Sequence, residues 1–189
     1  MKQEDQPVGG MVVGEPEKRR SSPLHTVLEV VVIVVAAFAI AMVVRFFVMK
    51  SFTIHQVSMQ PTIHDGERIL VNRVIYHFRD PKKGDVVVFH SPVKDEDLVK
   101  RVVGVAGDRI EIKDGGLYVN GVRQVEPYLN EQAIQGVFPE TTVPSGSVFV
   151  MGDNRNNSLD SRMFGPVSRK AILGRAFAIY WPLNRWSGL

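Results

Sequence analysis

The chain has 189 residues, enough for one domain of ordinary size and an anchor. Its 23 basic and 20 acidic side chains leave a net charge of +3, too mild to point to nucleic acid, which a clustered basic face would accompany. The absence of cysteine excludes a disulfide framework, a cysteine nucleophile and cysteine-ligated zinc, and fits an extracytoplasmic domain that needs no redox machinery.

Residues 1–23 form a polar tail punctuated by Pro7, Gly9, Gly10, Gly14 and Pro16, with Lys18, Arg19 and Arg20 near its end. The tail has too little apolar surface to fold, so residues 1–26 are expected to be a disordered cytoplasmic segment. Residues 28–49 are apolar except for Glu29 and Arg45. At about 1.5 Å per residue they make roughly 33 Å of helix, enough to cross a bilayer core. The run is apolar on every face, unlike a core helix, and its two charges lie near the ends, within reach of headgroups. A cleavable signal peptide would carry its small-residue site after the apolar run. Here Ala37-Phe38-Ala39 and Ala39-Ile40-Ala41 lie inside it. Residues 27–49 are therefore assigned to one retained transmembrane helix. Three basic residues precede the run, against Arg45 and Lys50 at or after its end. By a small margin this puts the N-terminus in the cytoplasm and the rest of the chain outside the cell membrane, as a single-pass protein.

Beyond the anchor the reading is mostly strand. Segments 68–71, 85–89, 98–105, 109–113, 117–119, 147–151 and 171–181 carry the strand signals, most of them rich in Val and Ile and bounded by Gly, Asp and Pro. Asp114-Gly115-Gly116 and Asn120-Gly121 are hairpin-turn signals. Residues 123–142 lack clear periodicity and read as a long loop or small insert. No long 3.6-residue period follows the anchor. The expected fold is mainly β: a single all-β domain, sandwich- or barrel-like, over residues 50–189, preceded by one N-terminal transmembrane helix.

Three stretches carry the chemistry. The first, Ser58-Met59-Gln60-Pro61-Thr62, lies nine residues past the anchor. Pro61 fixes its own φ and pushes Gln60 toward an extended conformation, so the segment after Ser58 is stiff. A serine hydroxyl is almost wholly protonated at neutral pH and needs a neighbouring base before it can attack. Alone, Ser58 reads as a turn serine. The second stretch, Val99 to Gly104, places Lys100 inside an apolar strand pattern. Desolvation disfavours an ammonium, so a buried lysine sheds its proton more easily and can serve as that base; the bland alternative is a lysine snorkelling at a sheet edge. Strand alternation puts Lys100 on the face of Leu98, Val102 and Gly104, with Arg101 on the other. The third, Gly152 to Arg162, is dense in small polar and charged residues, which are costly unless they build a site or a rigid polar network.

At these residues the chain resembles the type I signal peptidases, membrane-bound Ser/Lys proteases that remove signal peptides. The resemblance rests on Ser58–Thr62, Gly84–Phe89, Lys100–Gly104 and Gly152–Arg162, in the family's order. It implies Ser58 as nucleophile, forming an acyl-enzyme, and Lys100 as general base. The Ser58 backbone N–H would supply one oxyanion donor. The second family donor is often a serine two residues before the nucleophile; here Gln56 stands there, with a longer side-chain amide. Ser158 matches the serine that hydrogen-bonds the lysine, and Asp153, Asp160 and Arg162 match the supporting polar residues. Asn156, Phe164 and Ala106 depart from the aspartate, tryptophan and proline common in the family. The implied partners are secretory precursors carrying signal peptides, cut after small residues (Ala-x-Ala), and membrane lipid. Phe52, Ile54, Val57 and Met59 are candidates for pocket or membrane contact, with Met59 equally a core residue.

Other chemistries fit less well. The five histidines make no His-Glu-x-x-His pattern, and no glycine-rich phosphate loop with Lys-Ser or Lys-Thr is present, so neither metal nor cofactor is expected. His64 and Asp65 are conceivable partners for Ser58, but His64 is only six residues away. A self-cleaving regulator like the SOS-response repressors also uses Ser and Lys, with a DNA-binding N-terminus where this chain has an apolar span. A non-enzymatic anchored β module that binds partners outside the cell is the reading from another class.

Overall fold

The structure, a computed structural model, describes residues 23–131 and 133–189. The expected tail of residues 1–26, with its three basic residues, lies outside them up to residue 22. The chain divides into two units after Ile40. Helix α1 (Pro23–Phe47) contains a stretch, Thr26–Val44, long and apolar enough to cross a membrane, with none of it buried. Val30, Ile33, Val34 and Phe38 are all exposed, as expected of a helix whose solvent is lipid on every side. The span expected over 27–49 stops earlier: Met49 already belongs to a strand, where it pairs with Asn72. The apolar run conceals this change because Phe47, Val48 and Met49 suit either a helix in lipid or a strand.

The second unit is mainly β, as the strand signals implied. In chain order it contains β1 (Met49–Thr53), β2 (Arg68–Asn72), β3 (Val86–His90), β4 (Asp97–Val105), β5 (Arg109–Lys113), β6 (Gly116–Val119), β7 (Val122–Arg123), β8 (Phe138–Thr142), β9 (Ser147–Met151), β10 (Val167–Ser168), β11 (Ile172–Trp181) and β12 (Ser187–Gly188). Helical turns α2 (Ile75–Phe78) and α3 (Ser161–Phe164) interrupt them. One antiparallel sheet runs β1-β2-β11-β3-β4-β9-β10, with β12 beside β11; a smaller one runs β7-β6-β5-β8. Both expected hairpin turns form, with positive φ at Asp114 and Gly115 and at Asn120 and Gly121. Such turns match the twist of the strands they join.

Residues 123–142 are not one loop. Arg123 closes β7, and Phe138–Thr142 form β8 against β5. β8 is an edge strand with Pro139 inside it and only Phe138 and Thr141 partly buried, so it carries no alternation to read.

The large sheet is covered on both faces around the site. Val86 and Val88 of β3 join Ile54, Met59, Ile63, Ile69 and Val99 in one cluster. Val87 and Phe89 join Leu98, Val102, Val148 and Val150 in another. A strand buried on both faces reads as an unbroken apolar run, which is why β3 is Val-Val-Val-Phe. The small sheet packs on β9 and β4 through Phe149, Met151 and Val103.

Candidate active site

Ser58 lies in a turn between β1 and β2, 8% exposed. Ile54, Met59 and Ile63 anchor the turn in the core on either side. Its backbone is also tied from outside. Asn154 N–H donates to the Ser58 carbonyl at 2.9 Å, and Asn154 Nδ2 donates to the Val57 carbonyl at 3.3 Å. This approach requires glycine at position 152: a Cβ there would lie 2.5 Å from the Ser58 carbonyl oxygen and 2.3 Å from Ser158 Oγ. The Ser58 N–H donates to no group among the described residues.

Lys100 stands in the middle of β4, opposite Val87 of β3, and is 1% exposed. Its Nζ donates to Ser58 Oγ at 2.7 Å and to the Val99 carbonyl at 3.1 Å. Burial pushes the amine down to about 8, against the pull of the Asp160, Glu96 and Asp153 carboxylates, which favour its charged form. A cleft of about 350 Å³ opens over the pair, lined by Val57, Leu98, Asn157 and Leu159 among others. A smaller one of about 210 Å³ adjoins it at Gln56 and Glu96, with Phe52 and Ile54 in its wall. Met59, the fourth apolar candidate, is a core residue, 1% exposed.

Behind the lysine is a network of buried charges. Asp153, 2% exposed, accepts from Arg101 Nε at 2.9 Å and Nη2 at 2.7 Å, a bidentate pair. Thr62 Oγ1 donates to the same carboxylate at 2.6 Å. Asp160, wholly buried, accepts from Arg162 Nε and Nη2, both at 2.8 Å, and from the Gly152 N–H at 3.1 Å. Asp160 also caps α3 by accepting from the Arg162 N–H. Arg155, 1% exposed, donates through Nε to the Gly152 carbonyl at 3.0 Å and through both terminal nitrogens to Glu126 at 2.6 Å.

Two expected contacts differ. Ser158 does not bond the lysine: its Oγ is buried without a hydrogen-bond partner, turned toward Gly152. Gln56 presents the wrong end of its amide for an oxyanion donor. Its Oε1 accepts from Ser58 Oγ at 3.5 Å, while Nε2 donates to the Asp97 carbonyl at 3.2 Å, bridging the turn to the start of β4. His64 is not brought to Ser58 either; its ring meets Arg185 at 3.0 Å and Glu67 at 3.7 Å. The sequence alone gives Arg101, Thr62, Asn154, Arg155, Glu126 and Tyr128 no role in the site. For Arg101 a signal existed: two adjacent cations inside an apolar strand, on opposite faces, each need a partner.

Residues 27–181 match the family model described as "Signal peptidase, peptidase S26". The chain is 41% identical over 177 residues to signal peptidase IB of Staphylococcus aureus (strain COL), covering 85% of this chain and 92% of the relative. It is 39% identical over 176 residues to a probable signal peptidase I-1 of Synechocystis sp., covering 89% of each. A crystal structure of a signal peptidase I from Enterococcus faecalis V583 aligns with a TM-score of 0.47 at 35% identity, over 51% of this chain and 97% of that one.

Proposed function

Because the chain belongs to the signal peptidase family, peptidase S26, and is by that membership a serine peptidase of the signal peptidase I kind, we propose that Ser58 is its nucleophile and Lys100 its general base. The observation that carries this reading is the 2.7 Å contact between Ser58 Oγ and an amine that is 1% exposed. A neutral Nζ has one lone pair, and the nearest hydroxyl proton is that of Ser58. Against an ordinary lysine near 10.5, an amine near 8 is neutral about 300 times more often at pH 7.

Ser58 Oγ attacks the scissile carbonyl carbon as its proton passes to Lys100 Nζ. The carbonyl oxygen becomes an oxyanion, and the free Ser58 N–H is the donor aimed at it. On collapse the C–N bond breaks, and the Lys100 ammonium returns its proton to the leaving amine. Water then enters, loses a proton to Lys100 and attacks the Ser58 ester; as the ester C–O bond breaks, Lys100 gives that proton to Ser58 Oγ, which releases the acid and restores both the hydroxyl and the neutral amine. Asp153, Asp160 and Arg162 are assigned the support of this pair, because their ion pairs fix the 152–162 segment that ties down Ser58. Ser158 is retained as a residue that turns to Lys100 during the cycle. Gln56 serves as second oxyanion donor only after its amide rotates away from Asp97.

The substrates are secretory precursors with signal peptides, bound extended along the cleft and cut after small residues of the Ala-x-Ala kind. Helix α1 anchors the enzyme in the cell membrane, N-terminus cytoplasmic and catalytic unit outside, in contact with lipid. The test is cleavage of an Ala-x-Ala precursor in detergent by wild type, Ser58→Ala and Lys100→Ala. Both variants should fold and neither should cleave. Retained cleavage by Lys100→Ala overturns the dyad, and lack of cleavage by folded wild type overturns the substrate assignment.

A further inference from the structure

The stretch between β7 and β8 carries side chains that reach into the network behind the site. Glu126 grips Arg155 through both carboxylate oxygens at 2.6 Å, and Tyr128 donates its hydroxyl to Glu126 at 2.7 Å. The Tyr128 ring lies 4.1 Å from the Arg101 guanidinium. Asn156 accepts from the Gln135 N–H at 2.8 Å and donates to the Ala133 carbonyl at 3.1 Å. So two permanent cations, Arg101 and Arg155, are held by one loop, and they are near enough for Arg155 to oppose the charge on Arg101.

From these cations two routes lead to the segment holding Ser58. Arg155 fixes the Gly152 carbonyl, and the turn beginning there sends the Asn154 N–H to the Ser58 carbonyl. Arg101 fixes Asp153, which holds Thr62, four residues past Ser58. We propose that Glu126 and Tyr128 are positioning residues: their loop holds the turn from Gly152 to Arg155, and through it Ser58, against Lys100. Neither touches the reacting atoms. The inference rests on the assignment of Ser58 and Lys100 given above.

Loosening this loop frees the Gly152 turn, lengthens the Ser58–Lys100 contact and admits water to the amine. A misplacement on the ångström scale costs on the order of tenfold to a hundredfold in rate, and hydration returns a lysine toward its ordinary titration range. The charged groups acting on Lys100 are Asp160, Glu96 and Asp153, so the fall in its titration is set by burial against those three.

The experiment is the pH–rate profile of precursor cleavage by the full chain in detergent, for wild type, Tyr128→Leu, Tyr128→Phe and Tyr118→Leu. Tyr118 is a control whose ring meets Lys113 outside the network. Wild type and Tyr118→Leu should show an acidic limb with its midpoint near pH 8. Tyr128→Leu should lower kcat about tenfold with KM within about twofold, and move that midpoint upward by about half a pH unit or more. Tyr128→Phe keeps the ring and loses one hydrogen bond, so its expected loss is about threefold. A merely structural role would reduce the folded fraction, read by circular dichroism, and scale the curve without moving its midpoint. An unmoved midpoint with unchanged kcat per folded enzyme in Tyr128→Leu overturns the proposal. If Tyr128→Leu does not fold, an unchanged kcat in Tyr128→Phe overturns it instead. A wild-type profile with no limb near pH 8 overturns the Ser58–Lys100 assignment, a separate failure.

Discussion

Replacing Lys100 by methionine should abolish cleavage and, at neutral pH, make the protein more stable. Below pH 8 the amine is charged both in the folded chain and in the unfolded one, so folding bears the full cost of burying an ammonium. The drop from 10.5 to about 8 sets that cost at about 3 kcal/mol. Between pH 8 and 10.5 the unfolded chain keeps a proton that folded Lys100 has shed, so wild-type stability rises with pH across that window. By pH 10.5 the penalty is gone. Methionine fills a similar volume without charge; it forfeits the hydrogen bonds to Ser58 Oγ and the Val99 carbonyl, together worth about 2 kcal/mol. The net expectation is a gain of about 1 kcal/mol at pH 7, falling to a loss of about 2 kcal/mol at pH 10.5. Urea denaturation of both proteins at the two pH values, followed by circular dichroism, measures the difference. A Lys100→Met protein less stable than wild type at pH 7 would refute the claim that burial governs this amine.

Gly152→Ala should be destabilising by about 1–3 kcal/mol, because its new methyl meets a backbone oxygen that cannot swing aside, and cleavage should fall with it. Adding Ser158→Ala to that variant removes the clash with Ser158 Oγ but not that with the Ser58 carbonyl, so neither stability nor cleavage should recover fully. Ser158→Ala alone deletes a buried hydroxyl that has no partner, so denaturation should show unchanged stability or a gain of up to about 1 kcal/mol. A loss in that variant would mean that Ser158 is bonded in solution.

The mainly β fold was legible because its central strands are strong patterns. Segments 109–113 and 147–151 coincide with β5 and β9, and both turn signals form their hairpins. What pattern cannot give is partnership. β11 lies between β2 and β3, far from either in the chain, and nothing local in its residues names those neighbours. β1 escaped notice because its apolar start continues the anchor, and β8 because an edge strand with a proline has little to alternate. The blocks holding Ser58, Lys100 and Asp153 were visible as residue types at intervals. Their contacts were not: the Gln56 amide turned to Asp97 and the unpartnered Ser158 hydroxyl are rotamer outcomes, decided by neighbours the sequence brings from elsewhere.

Lys100 and Arg101 are adjacent on β4, one directed to Ser58 and the other to Asp153. Their order is a chemical instruction. Were β4 to slip by one residue against its neighbours, every side chain would exchange sides, and a guanidinium would arrive where the amine belongs. A guanidinium keeps its proton at any pH a protein survives, so under the proposed Ser58–Lys100 dyad that chain would hold all its residues and have no base. On that proposal, the frame of one strand separates a working peptidase from an inert one of identical composition.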